Sequence, residues 1–335
     1  MPIDVKVILV GDPKTYFMLE QYEPRFADLF KVLADFGDTI SRDSNGLKSY
    51  INVIARLTER DGLLPFSAAA VAALIEHGAR ICAQADRLTN RFGRIADIAR
   101  EAAFIAKQAA KDSVDFDDII ASVKRSRGRA DNPVIRFRRM VASGALKIQI
   151  KGSEVGQING LAISSAGSLI YGFPSRITAS IAFEQTYGGI DGDSASGTEF
   201  CCLISALTGL PINQNLAMTG AVDQKGNILA VGGATEKIEG FFDTCQSLKF
   251  TGEHAVLIPS ANTSELMLRH DVVEAIANGK FAIHAIDTID EAMSLMMSKE
   301  AGDICKPEYE KGTIFALAQV KAHEYWLSAR DSHKS

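Results

Sequence analysis

A serine at the end of a glycine-rich stretch is the first candidate for chemistry in this sequence. Ser194 closes the run Tyr187-Gly-Gly-Ile-Asp-Gly-Asp-Ser194 and opens the helical pattern of residues 194–207. At such a junction, the free N–H groups of the first helical turn and the positive end of the helix macrodipole stabilise an oxyanion. Ser194 is therefore a candidate nucleophile, and a simple N-cap is the ordinary alternative for an isolated Gly-x-Ser.

A nucleophilic serine needs a base, and the histidines do not suggest one. None of the six lies near a glycine-rich turn with an acidic partner. Lys237 is the other candidate, because it follows Gly232-Gly233 at the start of a second helical pattern, beside apolar Ile238, Phe241 and Phe242. Burial can lower a lysine pKa by ~3–5, which is enough for general-base work near neutrality. The alternative is an ordinary surface lysine in a first helical turn.

Several short motifs, taken together, resemble the proteolytic domain of the Lon protease family. They occur in the family's order: Gly192-Asp-Ser194-Ala-Ser-Gly197, Ala217-Met-Thr219-Gly220, Lys225-Gly226 and Gly232-Gly233-x-x-Glu236-Lys237. The serine and the lysine are separated by 237 − 194 = 43 residues, which is the spacing of that family. Phe183-Glu-Gln-Thr-Tyr187-Gly-Gly and Lys237-Ile-Glu-Gly-Phe-Phe242 are similar to the LonB-type subgroup.

The resemblance implies a serine endopeptidase that acts on unfolded or flexible polypeptides through a Ser–Lys dyad. It implies that Ser194 is the nucleophile, that Lys237 is the general base and later the acid, and that the Thr219 hydroxyl orients the lysine amine. Backbone N–H groups around Asp193 and Ser194, beside the small Gly192, would stabilise the oxyanion. Asp193 stands where many relatives have proline; it could cap the helix, or hold the lysine charged if it came close.

The front of the chain resembles the end of an AAA+ ATPase module. Residues 3–10 are apolar and β-branched, which predicts a buried strand, and Asp12 follows where such modules carry a polar sensor residue. The helical patterns from 48 to 124 resemble the AAA+ lid, and Ser67 and Gly78 are the predicted start and stop signals of one helix. Arg91 resembles the nucleotide-sensing arginine of the lid, with a helix-capping surface arginine as the alternative.

The predicted fold class is mixed α/β and α+β, a remnant AAA+ strand and a helical lid followed by an α+β proteolytic domain. The predicted parts are an AAA+ core remnant (1–40), a lid (41–125), a solvated basic linker (126–145), the Lon proteolytic domain (146–300) and a tail (301–335). Within the proteolytic domain the first strand is expected at Leu146–Ile150. In the tail, the pattern around Phe315–Val320 predicts one last helix.

Composition excludes several classes of function. A net charge of −5 argues against nucleic-acid binding, and there is no apolar stretch of about 18 residues to cross a membrane. The five cysteines are odd in number and lack CxxC spacing, so we expect reduced thiols, no metal site and a cytoplasmic protein.

The sequence departs from the family in two places. No Gly-x-x-x-x-Gly-Lys-Ser/Thr phosphate loop occurs, so no cofactor is predicted for this chain, whereas full-length relatives use ATP and Mg²⁺. Arg176–Ser180 runs directly into Ile181–Gln185, where relatives carry an additional helix and strand. The expected partners are polypeptide substrates and either identical chains in a hexameric ring or full-length Lon-like subunits. The alternative function is therefore a truncated, non-catalytic subunit that joins and modulates such rings.

Overall fold

The computed structural model describes residues 5–166, 169–179 and 193–332. Two short helices come first, α1 (Pro13–Tyr22) and α2 (Phe26–Leu29). The strand predicted over residues 3–10 is wrong for the described part, since residues 5–12 form no strand. Ile8 is 85% exposed and Val10 is 95% exposed. A strand is stable only when neighbouring strands take its hydrogen bonds and bury one of its faces, and no described strand lies beside this segment.

The next part is a helical domain that corresponds to the predicted lid. Its elements are β1 (Thr39–Ser41), α3 (Ser44–Asp61), α4 (Ala68–Cys82), β2 (Arg87–Thr89), α5 (Phe92–Gln108) and α6 (Phe116–Gly128). Side chains of Asp43, Ser67 and Asp115 cap α3, α4 and α6 by accepting backbone N–H bonds. The helices enclose one apolar core around Tyr50 and Leu74. The predicted cap at Ser67 is confirmed.

The basic stretch 126–145 is mostly helical. It contains the end of α6 and all of α7 (Asn132–Ala142). Arg127 pairs with Glu239, Arg129 with Glu101, and Arg138 with Asp243. The prediction of a solvated linker is therefore wrong for Arg127 and Arg138, which are 30% and 37% exposed and pair with carboxylates of the following domain. It holds for Arg129, whose side chain is 63% exposed.

The remaining chain is a sheet-containing domain. Its elements are β3 (Ser153–Val155), β4 (Gln157–Ala166), β5 (Leu169–Thr178), α8 (Ser196–Thr208), β6 (Pro211–Asn213), β7 (Leu216–Met218), β8 (Ala221–Val222), β9 (Ile228–Leu229), α9 (Ala234–Ser247), β10 (His254–Pro259), α10 (His270–Ala277), β11 (Phe281–Ile286), α11 (Ile289–Met297) and α12 (Ile314–Ser332). The main sheet has the order β11-β10-β7-β4-β5. All neighbours are parallel except β4 and β5, which pair antiparallel.

This architecture confirms the predicted mixed α/β class and the last helix. The sheet's apolar side chains pack against α8, α11 and α12 in one core and against α9 and α10 in another. The strand expected at Leu146–Ile150 is wrong, because this segment is irregular. The backbone carbonyl of Gln149 accepts a hydrogen bond from the side-chain amide of Asn159 at 2.8 Å, and not from the backbone of a neighbouring strand.

Candidate active site

Lys237 lies in the first turn of α9 and is buried. Gly233, with φ of +68°, ends the preceding loop, and the backbone N–H of Lys237 donates to its carbonyl at 3.0 Å. Only 2% of Lys237 is exposed. Ile238, Phe241 and Phe242 belong to the buried core at this helix. The three residues beside the lysine in the sequence are thus buried, as is the lysine itself.

Thr219 connects the lysine to the serine segment. The Lys237 amine donates to Thr219 Oγ1 at 3.1 Å, and the Thr219 hydroxyl donates to the backbone carbonyl of Ser194 at 3.4 Å. Thr219 is fully buried and directly follows β7, with its N–H bonded to the carbonyl of Leu257 on β10 at 3.1 Å. Because the Thr219 hydroxyl donates its proton to the Ser194 carbonyl, the lone pairs of Thr219 Oγ1 are available to accept from the Lys237 amine. Within the described contacts, no hydrogen bond joins the Lys237 amine to the Ser194 hydroxyl directly.

Ser194 lies in a 3₁₀ turn, Asp193–Ala195, that leads into α8. The N-cap position of α8 is Ala195 and has no side-chain cap, so neither Ser194 nor Asp193 caps this helix. Two backbone bonds fix the turn against the Thr219 segment. Gly220 N–H donates to the Ser194 carbonyl at 3.0 Å, and Gly197 N–H donates to the Gly220 carbonyl at 3.1 Å. Gly192, predicted to assist here, lies outside the described residues.

The electrostatics of the site favour a neutral amine. Burial lowers the pKa of Lys237 below its usual 10.5, and the negative charge of Asp193 partly opposes this. Asp193 is itself exposed, and it forms no ion pair with Lys237 in the described structure. Desolvation is the larger effect, so the neutral form of the amine, the form that a general base requires, is favoured relative to an exposed lysine.

The predicted nucleotide-sensing residues lie apart from this cluster. Asp12 caps α1, accepting the N–H of Thr15 at 2.9 Å. Arg91 stands at the start of α5 with a side chain that is 57% exposed, 3.6 Å from Asp38. Neither has a described bond to Ser194, Thr219 or Lys237. Their sensing roles stay predictions.

One charged cluster beside the site was missed from the sequence. Glu239, two residues after Lys237, is 2% exposed and faces arginines of both domains. A glutamate among the buried residues of Lys237-Ile-Glu-Gly-Phe-Phe242 was the available signal. The described ranges contain no cluster of three or more potential metal ligands among His, Cys, Asp and Glu. No helix in those ranges is long and apolar enough to cross a bilayer.

The bridging role of Thr219 can be tested by substitution. Thr219→Val keeps the shape but removes the acceptor of the lysine N–H, so we expect kcat/KM for a fluorogenic peptide to fall about 10- to 100-fold. Thr219→Ser keeps a hydroxyl and should restore most of the rate. Equal rates for wild type and Thr219→Val would contradict the bridge.

Three family models match separate parts of the chain. The archaeal LonB AAA+ ATPase lid domain matches residues 65–129, the Lon protease (S16) C-terminal proteolytic domain matches 185–299, and the LonB-like AAA domain matches 1–37. The order of these matches agrees with the helical and sheet-containing parts of the fold.

Curated relatives agree with these matches. A putative Lon protease homolog of Escherichia coli is 29% identical over 350 residues, covering 89% of this chain and 59% of the relative. A putative Lon protease homolog of Haemophilus influenzae is 41% identical over 171 residues, covering 50% and 28%. The archaeal Lon protease of Thermococcus kodakarensis is 26% identical over 294 residues, covering 75% and 44%. The chain thus spans between 28% and 59% of the length of these relatives.

An AAA+ lid domain followed by a Lon proteolytic domain places the matched parts of the chain among AAA+-associated proteases. Within that class, residues 1–37, 65–129 and 185–299 are similar to the AAA, lid and proteolytic domains of LonB-type Lon proteases.

Proposed function

We propose that this chain is a serine endopeptidase in which Ser194 and Lys237 form the catalytic dyad. The observation that carries the proposal is the burial of the Lys237 amine and its hydrogen bond to Thr219, which in turn bonds to the Ser194 backbone. A dry amine with a lowered pKa is what a serine without a histidine needs as its base.

The proposed reaction follows from these positions. Lys237 Nζ removes the proton from Ser194 Oγ as the oxygen attacks the scissile carbonyl carbon. The same proton then passes from the ammonium to the leaving amine, which leaves an acyl ester on Ser194. Lys237 next removes a proton from water as the water oxygen attacks the ester carbonyl carbon. The bond from that carbon to Ser194 Oγ then breaks, the ammonium returns its proton to Oγ, and the acid is released. The amine must approach the hydroxyl when substrate binds, because in the resting arrangement Thr219 holds it.

The wider setting is proposed from the relatives. We propose that the substrates are unfolded or flexible polypeptides and that the chain acts in a cytoplasmic ring, a hexamer of identical chains or a ring shared with full-length Lon-like subunits. In such a ring, ATP and Mg²⁺ would be bound by subunits with a phosphate loop. No nucleic acid or membrane partner is proposed.

A second candidate is a non-catalytic subunit of rings formed by a full-length relative. The exposed apolar segment before α1, where Val10 is 95% exposed, supports contact with another subunit, which both candidates share, so turnover by the chain separates them. Co-purification with a full-length relative, together with no turnover by the chain itself, would support this candidate over the first.

A covalent probe tests the proposed nucleophile. We expect a serine-directed peptide phosphonate to label wild type at Ser194 and to leave Ser194→Ala unlabelled, with parallel loss of casein and fluorogenic-peptide hydrolysis. Ser247→Ala is the matched control, because its exposed hydroxyl bonds only within α9. An unlabelled wild type without hydrolysis would contradict the proposal.

A further inference from the structure

The helix that carries Lys237 also carries a buried carboxylate on another face. Glu239 is 2% exposed. Consecutive residues of an α-helix are rotated by about 100°, so two residues correspond to about 200°. Lys237 therefore faces Thr219, while Glu239 faces away from it, toward the lid. One rigid turn of α9 connects the two groups.

The partners of Glu239 come from both domains. In the lid, Arg80 near the end of α4 donates to Glu239 at 2.9 Å, and Arg127 in the last turn of α6 donates at 3.4 Å. In the proteolytic domain, the backbone N–H of Arg269 donates to the same carboxylate at 2.9 Å, and its guanidinium lies 3.9 Å away. A buried carboxylate requires such partners, because removal of one leaves an uncompensated charge in a poorly hydrated place.

A second carboxylate one turn further along α9 repeats the arrangement. Asp243 accepts bonds from Arg138 of α7 and from Arg269. Arg80 also donates to the backbone carbonyl of Met267, in the segment that leads to α10. The lid and α7 therefore hold α9 at two successive turns, and the first of these contains Lys237.

We propose that Glu239 is a positioning residue and that the lid arginines Arg80 and Arg127 hold Lys237 in its dry site through it. The inference rests on the proposed function of Ser194 and Lys237. It makes the lid a regulator of the peptidase site. When the lid moves away from α9, Glu239 loses Arg80 and Arg127 and keeps only Arg269, α9 shifts, and the Lys237 amine becomes hydrated.

The competing explanation is that these ion pairs only attach the lid to the proteolytic domain. The exposure of the side chains in each ion pair identifies a suitable control for this alternative. The side chains of Arg127 and Glu239 are 30% and 2% exposed, whereas those of Arg129 and Glu101, a pair within the lid, are 63% and 20% exposed. Exposed pairs contribute little, while a buried charge depends on its partners. Arg129→Ala is therefore a matched control, since it removes an arginine from the same helix end without touching α9.

The test compares Arg80→Ala/Arg127→Ala with Arg129→Ala in the full chain. The first readout is the pH at which reductive methylation of Lys237 is half-maximal, measured by peptide mass spectrometry. This measurement does not require the protein to turn over substrate. We expect this midpoint to move toward 10.5 in the double variant and to stay unchanged in the control. The second readout is peptide hydrolysis, where we expect kcat to fall about 10-fold with little change in KM. A variant with Arg80→Ala and Arg127→Lys, which keeps the charge at position 127, should regain part of the activity and part of the lowered midpoint.

Two outcomes contradict the inference. One is an unchanged Lys237 midpoint in a double variant whose thermal stability has dropped, which would mean simple domain attachment. The other is equal behaviour of the double variant and the control. A wild type that neither hydrolyses peptide nor reacts with the phosphonate would instead overturn the proposed function, and the methylation midpoint would still decide whether the lid holds the amine.

Discussion

Replacing Lys237 with methionine is expected to abolish peptide hydrolysis while it makes the protein more stable. Methionine fills a similar volume but cannot accept the proton of Ser194, so kcat/KM should fall on the order of 10²–10⁴-fold. The buried ammonium is unfavourable in the folded state, as its lowered pKa indicates. Its removal should therefore raise the free energy of unfolding near neutral pH, measured by denaturant titration.

The pH dependence of this stability difference has a defined sign. The folded-state pKa of Lys237 lies below the usual 10.5 of the unfolded chain. Below the folded-state pKa both states are protonated and the folded wild type bears the full penalty. As pH rises from there toward 10.5 the unfolded chain holds more protons than the folded one, so wild-type stability rises relative to Lys237→Met. The stability difference should thus narrow with increasing pH.

Lys280→Met is the control, because this lysine is exposed and lies away from the site. It should leave hydrolysis unchanged and show no comparable gain in stability. Hydrolysis by Lys237→Met at the wild-type rate would mean that another group is the base.

Gly172→Ala is expected to damage the site without touching a reacting group. Gly172 lies in β5, and a methyl group there would stand 2.0 Å from the Glu236 carbonyl oxygen and 2.6 Å from the Lys237 backbone nitrogen. The start of α9 must then move away from the sheet. Such overpacking destabilises by about 1–3 kcal/mol. We expect a lower melting temperature and a fall in kcat of at least about 10-fold, because small misplacements near reacting groups reduce rates strongly.

Gly93→Ala gives the matched comparison. Gly93 lies in α5 of the lid, and nothing stands within 4 Å of the added methyl group. This substitution should stabilise the helix by about 0.5–1 kcal/mol and leave hydrolysis unchanged. A Gly172→Ala protein with wild-type activity and melting temperature would show that α9 does not depend on this close approach.

The sequence predicted the site better than it predicted the ends of elements. Ser194, Thr219 and Lys237 could be found because their motifs occur in the family's order and spacing, and the structure brings them into one hydrogen-bonded chain. Their catalytic roles stay predictions. The arginine partners of Glu239 could not be found, because Arg80 and Arg127 lie 159 and 112 residues away along the chain.

Two local signals were misinterpreted because tertiary contacts decide their meaning. Gly78 was predicted to stop α4, yet the helix continues to Cys82. A methyl group at Gly78 would lie 2.5 Å from the Tyr50 hydroxyl, so this glycine makes room for a buried tyrosine. The apolar segment before α1 has the composition of a strand but no described neighbour to pair with. An apolar, β-branched segment forms a strand only where neighbouring strands of a sheet pair with it.

The most direct test is a titration of the Lys237 amine in the folded chain. Lysine labelled with ¹³C at Cε would be followed by NMR from pH 6 to 11, with the Lys237 signal assigned by its absence in Lys237→Met. We predict a single titration with a midpoint below 10.5. The midpoint should move upward when the lid arginines are removed, and it should not rise in Thr219→Val, because the Thr219 oxygen accepts from the amine and so favours its charged form. A midpoint at or above 10.5 in the wild type would mean a charged, hydrated ammonium, which contradicts a lysine that acts as the base for Ser194.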